Sequence, residues 1–251
     1  MEAEQQESAI LTSTQTISTN QDSIRKLYQK KLAAKTKLLP EKQVLEAGKL
    51  YPVDEAQTDT SFFLFREDLL TAIQNKDIFS LVQHIDENIK CSFGDENGLS
   101  GFIKLWQLDS PSKTSSSPVW STLEQVLNSG GTFDQDRQLF IAPYLYATFP
   151  DKYDSFEYGA ITGSGVRLRT EPGLQSQTIK NVSYEIVKLL GPSDKTETIQ
   201  GETHPWVQVE LLDGTSGYVF GKFVGSPIDF RAGFERQSND RWKMIFLVAG
   251  D

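Results

Sequence analysis

The sequence contains few residues of the kinds that build metal sites and nucleophilic centres. Its 251 residues include one cysteine, Cys91, and two histidines, His84 and His204. A single cysteine forms no intramolecular disulfide, and one thiol with two widely separated imidazoles lacks the ligand spacing of a zinc site. We therefore expect no bound metal, and we expect Cys91 to be a small buried residue at the end of a strand.

Long apolar runs and an excess of basic residues are also missing. No stretch approaches the roughly 20 apolar residues that span a bilayer, and no basic region followed by an apolar one opens the chain. With 25 Lys and Arg against 34 Asp and Glu, the formal net charge is −9. Because nucleic-acid binding requires clustered cations, this charge predicts a soluble protein with no nucleic-acid partner and favours a cationic or neutral one.

The first 45 residues are predicted to form a flexible polar leader with a basic helix. Residues 1–21 are mostly Gln, Ser, Thr and Glu, which bury too little apolar surface to offset the entropy of ordering. Helix formers dominate from Ser23 to Leu39, and Pro40 ends the pattern. The thin apolar stripe fits a solvated, partly docked helix, and the alternative is a basic amphipathic helix for an anionic surface.

Residues 61–158 show the pattern of a helix-rich unit. Apolar side chains recur at helical spacing at Phe62, Phe65, Leu69 and Ile73. Asp77 is positioned to cap a second helix, and the two together predict a helical hairpin with one apolar face. A strand over 88–93 and a helix over 119–127 follow, on either side of a Ser/Pro-rich loop.

Short alternating strands separated by turn signals occupy the stretch from Gly165 to Val224. An arginine-bearing strand, 166–169, leads into the breaker Glu171-Pro172-Gly173, and a later Trp206 strand precedes Gly217-Tyr218-Val219-Phe220. This pattern is typical of a small barrel. These residues resemble the bacterial SH3-like (SH3b) domain, which implies a binding or structural module rather than a particular activity.

Two further strands, 229–235 and 241–249, are joined by the turn-forming Ser238-Asn239-Asp240. The second strand is apolar on both faces, with Trp242, Met244, Phe246 and Val248 expected on one of them. Such a strand must be covered on both sides, and the predicted barrel is already complete. We therefore predict an α+β fold in which a helical/β unit is completed by a C-terminal β-hairpin and the SH3-like β-barrel is inserted. The predicted domains are 1–45, 61–158 plus 226–251, and 160–225.

The flanking stretches carry a second resemblance. Phe156-Glu157-Tyr158-Gly159-Ala160, the run from Ser226 to Glu235, Trp242-Lys243-Met244 and Ala249-Gly250-Asp251 are similar to uncharacterised bacterial cell-envelope proteins with one such barrel. The resemblance implies a periplasmic or envelope location, with an export signal or lipid anchor absent from this sequence. If Met1 is the native start, a cytoplasmic location is expected instead.

The barrel is the predicted binding site, and its expected ligand is a peptidoglycan-type peptide or a protein partner. Exposed aromatic and arginine side chains would hold an extended peptide by stacking and charge-assisted hydrogen bonds. The candidate residues are Tyr184, Trp206, Tyr218, Phe220, Arg167, Arg169 and His204. The alternative is that many of these aromatic residues fill the barrel core while the arginines are solvated. A long polar insertion from Gly191 to His204 is expected as a loop that covers or reshapes the groove.

The sequence predicts a non-enzymatic protein with no cofactor and no catalytic residues. Cys91 with His84 or His204 lacks the context of a cysteine peptidase, and Gly163-Ser164-Gly165 precedes a strand rather than a phosphate-binding helix. Two alternatives stay open. One is a cell-wall hydrolase or hydrolase accessory whose active site lies in the α+β domain, and the other is a self-assembly module that uses the apolar stretch 140–146.

Overall fold

A computed structural model describes residues 47–250 and a separate helical segment at Ser23, 25–31 and 33. The chain divides into two compact units, Met1–Gln43 and Val44–Asp251. The helical segment lies within the predicted leader helix, whereas the predicted flexible stretch 1–21 lies outside the described residues. No described helix is both long enough and apolar enough to cross a membrane. The second unit contains helices and two sheets, which confirms the α+β class.

The α-helices of the second unit all lie between Thr60 and Ala147. They are α1 (Thr60–Gln74), α2 (Ile78–Gln83), α3 (Gly98–Leu105), α4 (Pro111–Thr114), α5 (Val119–Asn128) and α6 (Tyr144–Ala147). The predicted helical hairpin is present as α1 and α2. Asp77 caps α2 by accepting hydrogen bonds from the Phe79 and Ser80 amides, and Asp59 caps α1 through the Phe62 amide.

The strands of this unit are β1 (Ile85–Lys90), β2 (Thr132–Phe133), β3 (Leu139–Ala142), β4 (Tyr158–Ile161), β5 (Val166–Arg169), β6 (Thr178–Val182), β7 (Ile186–Ile199), β8 (Glu202–Leu211), β9 (Ser216–Phe220), β10 (Val224–Gly225), β11 (Arg231–Arg236) and β12 (Trp242–Val248). One sheet has five strands in the order β1-β12-β11-β3-β2, and the other has seven in the order β10-β4-β7-β8-β9-β5-β6.

The C-terminal hairpin forms the centre of the five-stranded sheet. β12 is parallel to β1, with Ile85 opposite Met244, and β11 is antiparallel to β3, with Phe234 opposite Phe140. The predicted discontinuous domain depends on this pairing between the hairpin and the strands that precede the seven-stranded sheet. Its exact boundaries stay a prediction, because residues 44–251 form one compact unit.

The core between the helices and this sheet contains an aromatic cluster around Phe62, which is fully buried. Its ring centroid lies 4.1 Å from that of Phe140 and 5.0 Å from that of Trp242. The expected alternation along β12 fails after Met244. A β-bulge makes Gly233 pair with Phe246 and Phe234 with Met244, so the faces switch and Leu247 rather than Phe246 is buried.

The seven-stranded sheet is antiparallel throughout its described pairs and has a smaller aliphatic core. The buried residues of that core include Ile161, Leu168, Val187, Val209 and Val219. Among the described residues no pairing joins the edge strands β10 and β6, so the sheet is not a closed ring. The SH3-like barrel therefore stays a prediction from the resemblance.

The prediction that residues Gly191 to His204 form a loop is wrong, because these residues continue β7 and β8 as a long hairpin. Glu197 pairs with His204 and Ile199 with Glu202. Gln200 and Gly201 form the turn with φ of 54° and 85°, the left-handed geometry of tight hairpin turns. The insertion is thus a projecting two-stranded ribbon.

Candidate functional site

Two of the predicted binding residues, Trp206 and Phe220, lie inside the protein. Trp206 is 2% exposed and Phe220 is also buried, with their ring centroids 5.8 Å apart. The Trp206 Nε1 atom donates a hydrogen bond of 2.9 Å to Glu197 Oε2. Both rings therefore contribute to packing and present little surface to a ligand.

The two predicted arginines lie in different environments. Arg167 is exposed, whereas Arg169 is buried. A register irregularity between Leu168 and Arg169 in the pairing with β6 accompanies this difference. The Arg169 Nη1 atom donates a 2.6 Å hydrogen bond to the Ser176 carbonyl, and its guanidinium lies 5.9 Å from the Trp206 ring centroid.

Of the remaining predicted residues, His204 and Tyr218 lie beside other members of the predicted site, whereas Tyr184 does not. His204 is partly exposed, with its ring edge-on to Phe220 and its Nε2 atom 3.6 Å from Glu202 Oε2. Tyr218 is half-buried in β9, opposite Arg169. Tyr184, at a left-handed φ of 63°, has its ring contact with Tyr51 instead.

The β7–β8 ribbon covers the place where a groove was predicted. Glu197 Oε2 accepts hydrogen bonds from Trp206 Nε1 and from the Leu174 amide. Lys195 Nζ donates to the Pro172 carbonyl at 2.9 Å. The ribbon thus holds the Pro172-Gly173 loop beside Trp206. Only the edge of the predicted site is left accessible to a ligand.

The cysteine and the two histidines each have their own partners. Cys91 is buried just after β1, and its Sγ donates to the Glu96 carbonyl at 3.2 Å. Burial, together with the Glu96 carboxylate, raises the pKa of the Cys91 thiol. His84 Nδ1 is 2.7 Å from the Ser80 carbonyl oxygen. Within the described residues, no three His, Cys, Asp or Glu side chains are grouped so that they could hold a metal ion.

An open cleft that the sequence did not predict lies where the chain passes between the two sheets. It measures about 400 Å³ and is bounded by the connection from α6 to β4 and by the connection from β10 to β11. We call it the junction cleft. The residues that matter for its chemistry are Tyr146, Asp151, Tyr153, Asp154, Phe156 and Arg231.

Aromatic rings give the junction cleft an accessible apolar surface. Phe156 is 62% exposed and Tyr146 is 39% exposed. Tyr153 is half-buried, and its ring centroid lies 5.3 Å from that of Tyr158. Exposed rings of this kind offer stacking and apolar contact to a ligand, unlike the enclosed ring of Trp206.

Arg231 is the one cation among the residues that line the junction cleft, and it is only 6% exposed. Its Nη2 atom donates a 2.8 Å hydrogen bond to the Gly250 carbonyl, and Nη1 makes a longer one of 3.5 Å to the Ile228 carbonyl. The guanidinium also lies 4.8 Å from the Tyr146 ring centroid and 5.8 Å from that of Phe93. Its position is therefore fixed by backbone and aromatic contacts.

A second open cleft, of about 590 Å³, lies between the end of α1 and the residues before α5. Two of its polar groups are already satisfied internally. Lys76 Nζ donates to the Ser115 carbonyl at 2.6 Å, and Trp120 Nε1 donates to the Thr114 carbonyl. The junction cleft consequently offers more unused binding chemistry.

The sequence contains only weak signals for the junction cleft. Most of its residues come from two irregular connections, 148–157 and 226–230, which carry no strand or helix periodicity, while Tyr146 lies in the short helix α6 and Arg231 in β11. A short aromatic and acidic run from Lys152 to Phe156 is the one local indication.

Comparison of the chain with protein-family models, with curated proteins and with solved structures finds no match.

Proposed function

We propose that this chain is a non-enzymatic binding or scaffolding protein of the bacterial cell envelope that recognises a peptidoglycan-type peptide or a protein partner. The observation that carries the proposal is the junction cleft, in which exposed aromatic rings surround a buried guanidinium. A concave surface with aromatic walls and a few fixed polar groups is the usual form of a binding site.

The site in this proposal differs from the one expected on the seven-stranded sheet. Trp206, Phe220 and Arg169 are enclosed by packing and by the β7–β8 ribbon, so a ligand would have to displace the ribbon to reach them. Tyr146 and Phe156 are already accessible. Contact of a ligand with these two rings therefore requires no rearrangement of described elements.

The envelope location rests on the resemblances in the sequence, and the charge of the chain is compatible with it. Lys and Arg number 25 against 34 Asp and Glu, which favours a partner with cationic or neutral groups rather than a polyanion.

The two alternatives have less support. A hydrolase that used Cys91 would need a thiol with a lowered pKa, whereas the pKa of this thiol is raised. Self-assembly through residues 140–146 would need a free apolar face, but Phe140, Ala142, Tyr144 and Leu145 are buried in the protein's own core.

Retention of the purified protein on cell-wall sacculi tests the proposal. We expect the wild-type protein to be retained, and we expect Phe156→Ala and Tyr146→Ala each to weaken binding about three- to tenfold, as for the loss of an aromatic contact of about 0.5–1.5 kcal/mol. Phe79→Ala is the matched control, because Phe79 is 78% exposed on α2 and is not part of the cleft.

The possible results separate the alternatives clearly. No retention of the wild-type protein would reject the cell-wall ligand. Retention that is equal in wild type, Phe156→Ala and Tyr146→Ala would show that binding does not use the junction cleft. A loss in Phe79→Ala as large as that in Phe156→Ala would indicate general apolar adsorption.

A further inference from the structure

No carboxylate among the described residues lies within 4 Å of the Arg231 guanidinium. Its hydrogen bonds go to two backbone carbonyls. Arg66 provides the contrast, since it is equally buried but its Nη1 atom lies 2.7 and 2.8 Å from the two Asp54 carboxylate oxygens. Because a buried charge without a counterion is costly, Arg231 is left with the capacity to bind an anion from outside the described chain.

The contacts of Arg231 also define the shape of the group that it would bind. A guanidinium has five N–H donors, and those of Arg231 make two bonds to carbonyls, one of them long. The Tyr146 and Phe93 rings lie near the guanidinium group, and three of its N–H donors have no acceptor among the described residues. An edge with paired donors matches the two oxygens of a carboxylate.

The opposite charge is available in the same cleft. Asp151 and Asp154 are both exposed and line it. Asp154 Oδ1 accepts the Phe156 amide at 2.8 Å, which leaves Oδ2 unused. Asp151 forms no ion pair within the described part of the chain. Next to exposed rings, such carboxylates favour an ammonium group, since aromatic faces also attract cations.

Among the described residues, Lys152 is a cation that competes for this region. Its Nζ atom lies 4.9 Å from the Tyr153 ring centroid, so that ring face is already occupied. The ligand cation is therefore assigned to the two aspartates and to the Phe156 ring.

We infer that the junction cleft binds a short zwitterionic peptide segment, with Arg231 holding its carboxylate and Asp151 and Asp154 holding its ammonium group. This inference rests on the proposed function and specifies the chemistry of the ligand. The volume of about 400 Å³ suits a segment of roughly two residues, because ligand sites begin at about 300 Å³. A polyanion such as a phosphate chain is disfavoured, since the two aspartates would repel it.

Isothermal titration of the full chain with small peptides of defined charge tests the inference. The probes are the dipeptide Ala-Lys, its C-terminal amide, which lacks the carboxylate, and N-acetyl-Ala-norleucine, which lacks the cation. We expect Ala-Lys to bind and each of the other two to bind at least about tenfold more weakly, because a buried charge left unpaired costs more than one neutral hydrogen bond. Inorganic phosphate is expected not to compete.

Variants identify the residues. Asp151→Asn is expected to weaken Ala-Lys binding about three- to tenfold, and Asp136→Asn is the control because Asp136 is exposed in the β2–β3 turn. Arg231→Lys keeps the positive charge but loses the paired N–H donors of the guanidinium. We expect this variant to bind Ala-Lys only as weakly as the wild-type protein binds the C-terminal amide of Ala-Lys. Circular dichroism of each variant verifies that it is folded, and Asp151→Asn, a surface change, keeps the test valid if Arg231→Lys unfolds.

Several outcomes would overturn the inference. These are equal binding of the acid and the amide, equal binding of wild type and Asp151→Asn, and displacement of Ala-Lys by phosphate. If no dipeptide binds while sacculi still retain the protein through Phe156, the ligand class is wrong and the proposed function stands. If sacculi retention fails as well, both are rejected.

Discussion

Ser61 connects the start of α1 to the C-terminal hairpin through its single hydroxyl. Its oxygen accepts 2.9 Å hydrogen bonds from Arg236 Nη2 and from Trp242 Nε1, and it donates a 2.6 Å bond to Asp59 Oδ1. These partners are up to 181 positions away in the sequence. One small polar side chain thus joins segments that no local interaction would bring together.

The same cluster lowers the pKa of Asp59. Burial by itself would raise this pKa, but the hydrogen bonds from the Ser61 hydroxyl and the Phe62 amide and the positive charge of Arg236 outweigh it. A carboxyl group whose pKa is lowered on folding stabilises the protein above its ordinary pKa of 3.8. That stabilisation is lost as the pH falls through the folded-state value.

We predict that Ser61→Ala lowers the free energy of unfolding by about 1–3 kcal/mol at pH 7, because the buried Trp242 Nε1 and the partly exposed Arg236 Nη2 lose their acceptor. The difference from wild type should narrow below pH 3.8, where the Asp59 contribution disappears. Urea denaturation at several pH values measures both effects. Ser121→Ala, on the exposed side of α5, should change stability by less than about 0.5 kcal/mol. A Ser61→Ala deficit that is constant down to pH 2 would contradict the coupling.

The sequence predicts local residue roles far better than distant ones. Asp77 was identified as a cap because its partners, the Phe79 and Ser80 amides, lie within three residues. The role of Ser61 depends on Arg236 and Trp242, and no local pattern records it. Arg231 was missed for the same reason, since its anchors, Gly250 and Tyr146, come from distant segments.

At the scale of elements, the β7–β8 ribbon shows why a polar stretch predicts a loop even where the chain forms two paired strands. Most of its outer residues are exposed or only partly buried on both faces. A strand pair that is solvated on both sides has no apolar alternation, and alternation is the signal by which strands are identified. The alternation predicted for β12 is wrong for a different reason. A bulge switches the faces of the strand, and no turn residue in the sequence marks the bulge.

We predict that Glu197→Ala loosens the loop that contains Pro172 and Gly173. The substitution removes the acceptor of both Trp206 Nε1 and the Leu174 amide, so stability should fall by about 1–3 kcal/mol. Amide hydrogen exchange of peptides covering 170–178 should accelerate.

Glu202→Ala is the matched control for this prediction. Glu202 lies near the ribbon tip, and its partners are Lys222 and His204, so the loop should keep its exchange rate. If Glu197→Ala leaves exchange over 170–178 unchanged, the ribbon does not hold the loop in place.

At the scale of the whole molecule, the five-stranded sheet needs the C-terminal hairpin for its centre. We predict that ending the chain after Gly225 unfolds the part that contains α1–α5, because Phe62 loses its contacts with Phe234 and Trp242. The strands β4–β10 all remain in this variant, so the seven-stranded sheet should persist. Amide NMR spectra separate the two parts, and dispersed signals from residues 60–142 in the shortened chain would contradict the prediction.

The α+β class was predictable because apolar periodicity and turn residues act over short stretches, as in α1 and in the Asn239 turn. The apolar character of β12 also suggested a central strand, and β12 does lie between β1 and β11, although Ile245 and Phe246 are only partly buried. The position of the proposed binding surface was not predictable, because the junction cleft arises only where two irregular connections meet. The net charge of −9 favours a cationic or neutral partner and does not indicate where such a partner would bind.

The strand order of the five-stranded sheet has a consequence for synthesis on the ribosome. β1 and β2 are edge strands, and the strands between them include β11 and β12, which are translated after every other described strand. Until those strands emerge, the apolar surface around Phe62 lacks its cover, while β4–β10 are complete and free to pair. The helices and strands translated before β11 therefore keep aromatic surface exposed until β11 and β12 emerge. Nascent chains in such a state depend on chaperones.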